Sequence, residues 1–232
     1  MANQIDIPAG AKIKVVGVGG GGSNAVSRMY RERMPSVEYL VINTDKQALL
    51  LCDVPLRISI GDQLTEGKGV GGNPEKGAQA ANESREQLFE SLSEVDMVFV
   101  AAGMGGGTGT GAAPQIAEIA KQTGALTVGV VTTPFDFEGT RRMKNAMEGI
   151  EKLKANVDTL LIIPNERLSM ICDEEITAQN AFDMADDVLK LGVQSIAELV
   201  TLPGEINLDF ADIKAIMENS GPAWMSIGYG SG

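Results

Sequence analysis

The sequence contains no histidine and only two cysteines, and these absences exclude several kinds of functional site. Cys52 and Cys172 are isolated residues without the CxxC spacing of a structural metal site. A metal centre built from cysteine and histidine and a catalytic Ser/His or Cys/His pair are therefore both excluded. Any hydrolytic chemistry in this chain must rely on carboxylates, backbone dipoles or a bound cation.

Positive charge is also scarce in the sequence. The chain has 19 lysine and arginine residues against 31 aspartate and glutamate residues, which gives a net charge of −12. Because this charge repels phosphate backbones, we expect no nucleic-acid partner. Residues 1–12 lack the basic and apolar regions of a signal peptide, and no apolar run reaches the roughly 18 to 20 residues that span a bilayer. We therefore expect a cytoplasmic protein that does not insert into a membrane.

The densest glycine segment, GMGGGTGTG, runs from Gly103 to Gly111 and follows the apolar run 95–102. Six of its nine residues are glycine, so several consecutive N–H groups can point inward and form a nest for an anion. A helix is predicted to begin near 110–113, with Pro114 in its first turn, and its free N–H groups would face the same point. The segment therefore predicts a phosphate site. It contains no lysine, which excludes a Walker A loop.

A second glycine-rich junction follows the predicted strand 12–17. Gly17, Gly19 and Gly22 satisfy the GxGxxG pattern, and Asp45 follows the next predicted strand, where a dinucleotide-binding fold places its ribose-reading acid. This pattern leaves a nicotinamide- or flavin-dependent oxidoreductase as an alternative function. That alternative gives the GMGGGTGTG segment no ligand group, and the chain lacks a His or Tyr pair for handling hydride.

Strands and helices alternate along the chain. Asn73 followed by Pro74 is a strong N-terminal helix signal, and an amphipathic pattern extends this helix to about Leu92. The other predicted helices lie at 138–155, at 176–201, where apolar residues cover most of the circumference, and near 209–219. Apolar runs typical of buried strands lie at 12–17, 37–42, 55–60, 95–102, 125–131 and 157–163. This alternation predicts an α/β fold with a doubly wound, parallel, Rossmann-like sheet and a long central helix.

The sequence resembles the FtsZ family, the bacterial division homologues of tubulin, from residue 12 to about residue 227. The segment GGGTGTG from Gly105 to Gly111 matches the signature of the tubulin family. Further segments resemble FtsZ segments in the same order, namely GVGGGGSNAV at Gly17, VINTD at Val41, GGNPE at Gly71, TTPFDFEG at Thr132, IPNERL at Ile163 and NLDFADI at Asn207. The C-terminal domain of that family and its disordered tail fall outside this sequence.

The resemblance implies that the chain binds GTP and GDP, with Mg²⁺ accompanying the nucleotide and no metal site of the protein's own. Thr108 would contact a phosphate through its hydroxyl group. The residues that the resemblance assigns to the phosphates and their surroundings are Gly19, Gly20, Gly21, Gly22, Asn24, Asn43, Gly71, Gly72, Asn73, Gly103, Gly105, Gly106, Gly107, Thr108, Gly109 and Thr110.

The contacts to guanosine follow from the same resemblance. Glu138 and Arg142 would bind the ribose, Phe182 would stack on the base, and Asn165 and Asp186 would bind the guanine edge. A carboxylate suits guanine because it accepts hydrogen bonds from N1–H and N2–H₂, a donor pair that adenine lacks. Phe182 and Asp186 are four residues apart and so project from one helix face. The alternatives that stay open are a core aromatic for Phe182 and a solvated charge for Asp186.

In the family, a loop that matches Asn207, Asp209 and Asp212 reaches the nucleotide of the next subunit and polarises the attacking water. In a chain without histidine, carboxylates are the plausible agents for this step. A structural alternative is that Asp209 caps the short helix that follows and that Asp212 interacts favourably with its dipole. The two roles are compatible with each other.

The resemblance also divides the chain into a flexible arm at 1–11, a GTP-binding domain at 12–175, a connecting helix at 176–203 and a segment at 204–232 that begins the absent domain. It implies head-to-tail filaments that form the mid-cell division ring, and membrane-tethering division proteins that bind through the missing tail. For this chain we expect nucleotide binding, poor polymerisation and weak GTPase activity. A non-hydrolysing capping module is a third alternative.

Overall fold

A computed structural model describes residues 11–34, 36–169, 177–201 and 209–223. Its centre is a seven-stranded sheet in which all strand pairs are parallel, in the order β3-β2-β1-β4-β5-β6-β7. The strands are β1 (Ile13–Val18), β2 (Val37–Asn43), β3 (Leu56–Ser59), β4 (Met97–Gly103), β5 (Leu126–Thr133), β6 (Thr159–Pro164) and β7 (Gly221–Ala223). The predicted doubly wound α/β fold is confirmed.

Helices cover both faces of this sheet. They are α1 (Gly19–Arg31), α2 (Lys46–Leu50), α3 (Asp62–Thr65), α4 (Pro74–Glu83), α5 (Arg85–Leu92), α6 (Thr108–Gln122), α7 (Thr140–Lys154), α8 (Asn165–Ser169), α9 (Ala178–Thr201) and α10 (Phe210–Met217), with a 3₁₀ turn at Asp136–Glu138. No helix in the described ranges is long and apolar enough to cross a bilayer.

Alternate strand residues build two separate cores, because successive side chains of a strand point to opposite faces. Val16 and Val98 pack with α4, α5, α6 and α7 on one face. Val15 and Phe99 pack with α1 and α9 on the other. The central strands are therefore buried on both faces, which explains why they appear in the sequence as continuous apolar runs.

Two details of the helix predictions are wrong. The helix expected from Pro74 to Leu92 is divided into α4 and α5 at Ser84, whose backbone leaves helical geometry and whose hydroxyl accepts a hydrogen bond from the Gly61 N–H. In α5, Leu88 and Leu92 are buried, whereas 45% of the surface of Phe89 is exposed. Pro114 lies inside α6 rather than in its first turn, because α6 already begins at Thr108.

The long helix α9 crosses the second core. Its 24 residues correspond to about 36 Å at 1.5 Å per residue. Leu189 and Val193 are buried against the sheet, whereas 55% of Leu199 is exposed. The helix is thus buried along one side and has an apolar residue exposed near its C-terminal end.

The last described elements attach to the amino end of the sheet. β7 pairs with the first three residues of β6, and the Gly221 N–H donates to the Asp158 carbonyl at 2.8 Å. The Thr159 hydroxyl donates to the carbonyl of Met217, the last residue of α10, at 2.7 Å. The C-terminal end of α10 therefore lies at the end of the sheet opposite the glycine-rich loops, which follow the carboxyl ends of β1 and β4.

Glycine allows α4 and α6 to approach each other closely. A Cβ at Gly111 would lie 1.9 Å from the carbonyl oxygen of Pro74 and 2.7 Å from the amide nitrogen of Ala78. Both neighbours are backbone atoms, so a larger side chain at this position would force the two helices apart. The contact positions the start of α6 against the segment that precedes α4.

We expect Gly111→Ala to destabilise the fold, because the added Cβ overlaps the α4 backbone. Overpacking of this kind costs about 1–3 kcal/mol. The free energy of unfolding, measured by urea denaturation, should fall by an amount in this range.

Gly20→Ala is the matched control. Gly20 lies in α1, and a Cβ there meets no atom within 4 Å. The gain in helix propensity, up to about 1 kcal/mol, should leave the stability unchanged or raised. An equal loss in the two variants would contradict the assignment of the effect to the α4–α6 contact.

Candidate functional site

The two glycine-rich junctions meet at the point where the strand order reverses. From β1 the chain builds outward through β2 and β3, and from β4 it builds in the other direction through β5 and β6. The carboxyl edge of the sheet at such a switch point is the usual ligand crevice of a doubly wound fold. Here α1 follows β1 directly, and α6 follows β4 after four residues.

The first turns of α1 and α6 are in contact above this edge. A Cβ at Gly19, where φ is +71°, would lie 2.6 Å from the Gly109 amide nitrogen, so the approach requires glycine. Neither helix has an acidic residue in its first turn. Two helix N-termini with uncompensated positive dipole ends therefore face one crevice, which favours an anion.

A cavity of about 420 Å³ lies over the crevice. The predicted site residues that line it are Gly20, Gly21, Asn24, Gly103, Gly106, Gly107, Thr108, Gly109, Glu138, Arg142, Asn165, Phe182 and Asp186. These residues come from the two glycine junctions, the turn before α7, the start of α7, the start of α8 and the first half of α9. The structure thus brings most of the predicted set to one place.

The other predicted phosphate residues, Gly19, Gly22, Asn43, Gly71, Gly72, Asn73, Gly105 and Thr110, do not line this cavity but support the segments around it. The Thr110 hydroxyl accepts a hydrogen bond from the Gly105 N–H at 2.7 Å and so closes the loop before α6. The Asn73 side chain caps α4 by accepting from the N–H groups of Glu75 and Lys76. Asn43 accepts from the Thr44 N–H at 2.9 Å.

Sequence reasoning missed five residues that also line the cavity, namely Met104, Thr132, Pro134, Ala185 and Leu189. It also missed the 2.7 Å contact between the hydroxyl groups of Thr44 and Thr108. Thr132 and Pro134 belong to the TTPFDFEG motif at the carboxyl end of β5, the neighbour of β4. The order of the strands would have identified them, because the carboxyl end of β5 lies beside the loop after β4.

One end of the cavity has the donors and acceptors for a purine. The side-chain carbonyl of Asn165 is buried and has no hydrogen-bond partner within the described part of the chain. Such an acceptor is costly to bury unless a ligand donor completes it. The Asp186 carboxylate and the Phe182 ring line the same cavity. With 39% of its surface exposed, Phe182 is not a core aromatic, and that alternative is wrong.

The environment of Asp186 is electrostatically unusual. The pKa of its carboxyl group is raised to about 7, chiefly by burial; the Arg28 guanidinium opposes this rise, and the neighbouring Asp183 and Asp187 contribute to it. Only 17% of the Asp186 side chain is exposed. The alternative of a solvated charge is therefore also wrong, and strongly perturbed carboxyl groups in a cavity are candidates for a functional role.

Two further aromatic side chains contact Phe182. Phe135 and Phe137 stack with their ring centroids 5.1 Å apart, and each meets the edge of Phe182. Glu138 accepts from the Phe135 N–H at 2.9 Å and forms an ion pair with Arg142. These contacts hold the turn after β5 against the start of α7 and so position both predicted ribose residues.

The acid on which the oxidoreductase alternative depends has a different role. The Asp45 carboxylate caps α2 by accepting from the N–H groups of Gln47 and Ala48, at 2.9 and 3.2 Å. A carboxylate engaged in this way fixes the helix start. Asp45 also does not line the cavity, so the GxGxxG pattern here lacks its ribose-reading partner.

The predicted catalytic residues Asp209 and Asp212 do not line this cavity. Both are exposed at the start of α10. Asp209 occupies the N-cap position, but its side chain makes no capping hydrogen bond, and Asp212 lies in the first turn. Asn207 lies outside the described residues.

Cavity size does not distinguish the site. Cavities of about 510 and 560 Å³ lie at the amino ends of β1 and β2 and between α4, α6 and α7. Only the crevice above β1 and β4 combines two glycine-lined helix starts with a buried, unpartnered amide and a perturbed carboxyl group among the described residues. That chemistry suits a nucleoside phosphate.

Comparison with solved structures finds the same fold. FtsZ from M. jannaschii, in an empty dimer, matches with a TM-score of 0.89 and 50% identity over 92% of this chain and 62% of its own. CetZ1 from Haloferax volcanii, a GDP-bound monomer, matches with a TM-score of 0.77 and 27% identity over 91% of this chain and 65% of its own. CetZ2 from Haloferax volcanii, a GTPγS-bound protofilament, is 23% identical with a TM-score of 0.74, covers 91% of this chain and 64% of its own, and shows the fold alone.

This chain spans less than two thirds of the length of these relatives. A family model matches residues 12–173, which cover the sheet from β1 to β6 and both glycine junctions, and it describes the GTPase domain of tubulin and FtsZ. Together with the 50% identity to FtsZ from M. jannaschii, this match places the chain in the tubulin/FtsZ family.

Proposed function

We propose that the cavity binds GTP and GDP with the guanine between Asn165 and Asp186. The observation that carries this proposal is the buried, unpartnered carbonyl of Asn165 in the same cavity as the Asp186 carboxylate. Guanine offers N1–H and N2–H₂ as neighbouring donors, which two such acceptors satisfy, whereas adenine offers no donor at these positions. Phe182 stacks on the base, and Glu138 and Arg142 bind the ribose.

The phosphates lie over the first turns of α1 and α6, where the N–H groups of Gly20, Gly21 and Gly107 to Gly109 donate to them. Thr108 adds its hydroxyl group. No group of three or more acidic or cysteine side chains in the described ranges is arranged to hold a metal. Mg²⁺ would accompany the nucleotide and would supply positive charge that offsets the charge of the phosphates.

Hydrolysis uses the acids of a second subunit. Water attacks the γ-phosphorus and the bond to the β-phosphate oxygen breaks, while Asn207, Asp209 and Asp212 orient the water. This proposal is supported by two observations: Asp209 and Asp212 do not line the cavity of their own chain, and the end of α10 is bonded to the start of β6, at the amino end of the sheet. Head-to-tail stacking brings these acids to the phosphates of the neighbour, and both an FtsZ dimer and a CetZ2 protofilament are known among the relatives.

The whole protein would then act in cell division. Head-to-tail filaments form a cytoplasmic ring at mid-cell, and a C-terminal tail binds membrane-tethering division proteins. In this division of the chain, the nucleotide-binding domain comprises residues 12–175. The connecting helix comprises residues 176–203, and a further domain begins within residues 204–232. The present chain binds nucleotide but polymerises poorly, because part of the longitudinal surface belongs to that domain and stable interfaces bury on the order of 1,200–2,000 Å².

We expect Asp186→Ala to weaken GDP binding and to reduce the preference for GDP over ADP. Removal of one buried polar partner costs about 1–3 kcal/mol, or roughly a tenfold to hundredfold loss of affinity. ADP affinity should change little, because adenine does not use the carboxylate. Isothermal titration calorimetry with both nucleotides measures the effect.

Asp187→Ala is the matched control, because Asp187 is the next residue of α9 and does not line the cavity. It should leave the preference for GDP largely intact. If Asp186→Ala binds GDP and ADP as the unchanged protein does, the assignment of the base site is wrong.

We expect the specific GTPase activity to rise with protein concentration, because the acids and the phosphates come from different subunits. Phosphate release is measured over a dilution series. The variants Asp212→Ala and Thr108→Ala should each have reduced GTPase activity when assayed alone. A mixture of the two variants should recover part of the activity. Glu218→Ala, which removes an exposed acid just beyond α10, serves as the control.

Turnover that does not depend on protein concentration would contradict the two-subunit mechanism. Tight nucleotide binding without turnover at any concentration would instead favour the non-hydrolysing capping module. Sedimentation with GTP and with GDP separates that module from a chain that assembles.

A further inference from the structure

We propose that Arg28 is a positioning residue for guanine selectivity, which keeps the Asp186 carboxylate ionised and turned toward the base. The inference rests on the proposed guanine site. It assigns to α1, the helix whose first turn lines the phosphate crevice, a second role at the base end of the same cavity.

The Arg28 guanidinium faces three carboxylates of α9 at once. It forms an ion pair with Asp183, its Nη1 lies 3.5 Å from Asp187, and its Nε lies 3.7 Å from Asp186. A planar guanidinium can donate in several fixed directions, which a lysine ammonium on a flexible stem cannot reproduce. One cation thus offsets the mutual repulsion of three acids that occupy less than two turns of a helix.

The other charged groups around Asp186 have partners of their own. Arg31 of α1 pairs with Asp53 at 2.7 Å, and Lys190 of α9 pairs with Glu32 of α1 at 2.9 Å. Across the cavity and on α8, Arg142 pairs with Glu138, Glu166 accepts from the Asp136 N–H, and Arg167 is exposed. Among the described residues, Arg28 is therefore the cation that faces the Asp186 carboxylate.

The ionisation state of Asp186 determines which hydrogen bonds its carboxyl group can form with the base. An ionised carboxylate accepts hydrogen bonds from both N1–H and N2–H₂ of guanine. A protonated carboxyl group has one O–H, which places a donor against a donor of the base and leaves one acceptor fewer. With burial, Arg28 and the two neighbouring acids together, the pKa of Asp186 is about 7, so its carboxyl group changes charge near neutral pH. Because Arg28 lowers this pKa, its removal would raise the pKa and increase the protonated fraction at pH 7.

The surroundings of Arg28 can accommodate a substitution at this position. A cavity of about 240 Å³ between α1 and the start of α9 is lined by Ser27, Arg28 and Asp186. A glutamine in place of Arg28 keeps a polar side chain, shorter than that of arginine and without the charge. The substitution therefore changes the electrostatics of the site without filling new space.

The experiment compares the unchanged chain with Arg28→Gln by calorimetric titration of GDP and of inosine diphosphate between about pH 6 and pH 8.5. Inosine diphosphate lacks the N2 amine, so the affinity ratio of the two nucleotides reports the second hydrogen bond. In the unchanged chain, GDP affinity and this ratio should fall as the pH decreases through 7. In Arg28→Gln the midpoint should rise by about one pH unit or more, so that GDP binds roughly tenfold more weakly at pH 7 and recovers at the alkaline end.

Two variants control for general effects. Arg28→Lys keeps the charge and should return the midpoint toward that of the unchanged chain, even if its geometry is less favourable. Arg31→Gln removes a charge from the same helix, one turn away, where the side chain pairs with Asp53, and should leave the midpoint nearly unchanged.

The outcomes separate this inference from the proposed function. If Asp186→Asn binds GDP weakly and without pH dependence while Arg28→Gln keeps the original midpoint, the guanine site stands and the role of Arg28 is wrong. If GDP affinity in Arg28→Gln falls by the same factor at every pH, Arg28 has a merely structural role, and this result would also overturn the inference. If Asp186→Asn matches the unchanged chain throughout, the guanine site itself is wrong.

Discussion

The contact between the first turns of α1 and α6 is the constraint on which the rest of the site depends. It brings two helix N-termini to one crevice above the neighbouring strands β1 and β4. The approach is possible only because Gly19 and Gly109 carry no Cβ, since an added carbon would overlap backbone atoms that cannot move aside. The cluster of glycines is therefore as much a packing requirement as a ligand requirement, and both point to a bound polyphosphate.

The end of the cavity at Asn165 and Asp186 differs from the glycine-rich crevice, because it holds groups that are unfavourable without a ligand. Asn165 has a buried acceptor without a partner in the described ranges, and Asp186 has a carboxyl group whose charge is opposed by burial and by two neighbouring acids. Natural proteins keep such groups mainly where function requires them, at some cost to stability. Arg28 lowers the pKa of Asp186 and so reduces the cost of burying its charge, and the ion pair connects α1 with α9.

In the proposed reaction, one subunit binds the nucleotide at the carboxyl end of its sheet, and the next subunit supplies the acids. The glycine loops lie at the carboxyl end, whereas β7 and α10 are bonded to the start of β6 at the amino end. Asp209 and Asp212 do not line the cavity of their own chain. The proposed mechanism therefore makes assembly a condition for catalysis.

Local features of the sequence determined the parallel sheet, both glycine junctions and the cap of α4 by Asn73, because strand periodicity, runs without a Cβ and capping chemistry depend on neighbouring residues. Long-range contacts decided the rest. The break at Ser84 depends on a hydrogen bond from Gly61, and the approach of Thr132 to the cavity depends on strand order. Arg28 and Asp186 are 158 positions apart, so no pattern of spacing could pair them. Their shared electrostatics exists only because α1 and α9 pack on the same face of the sheet.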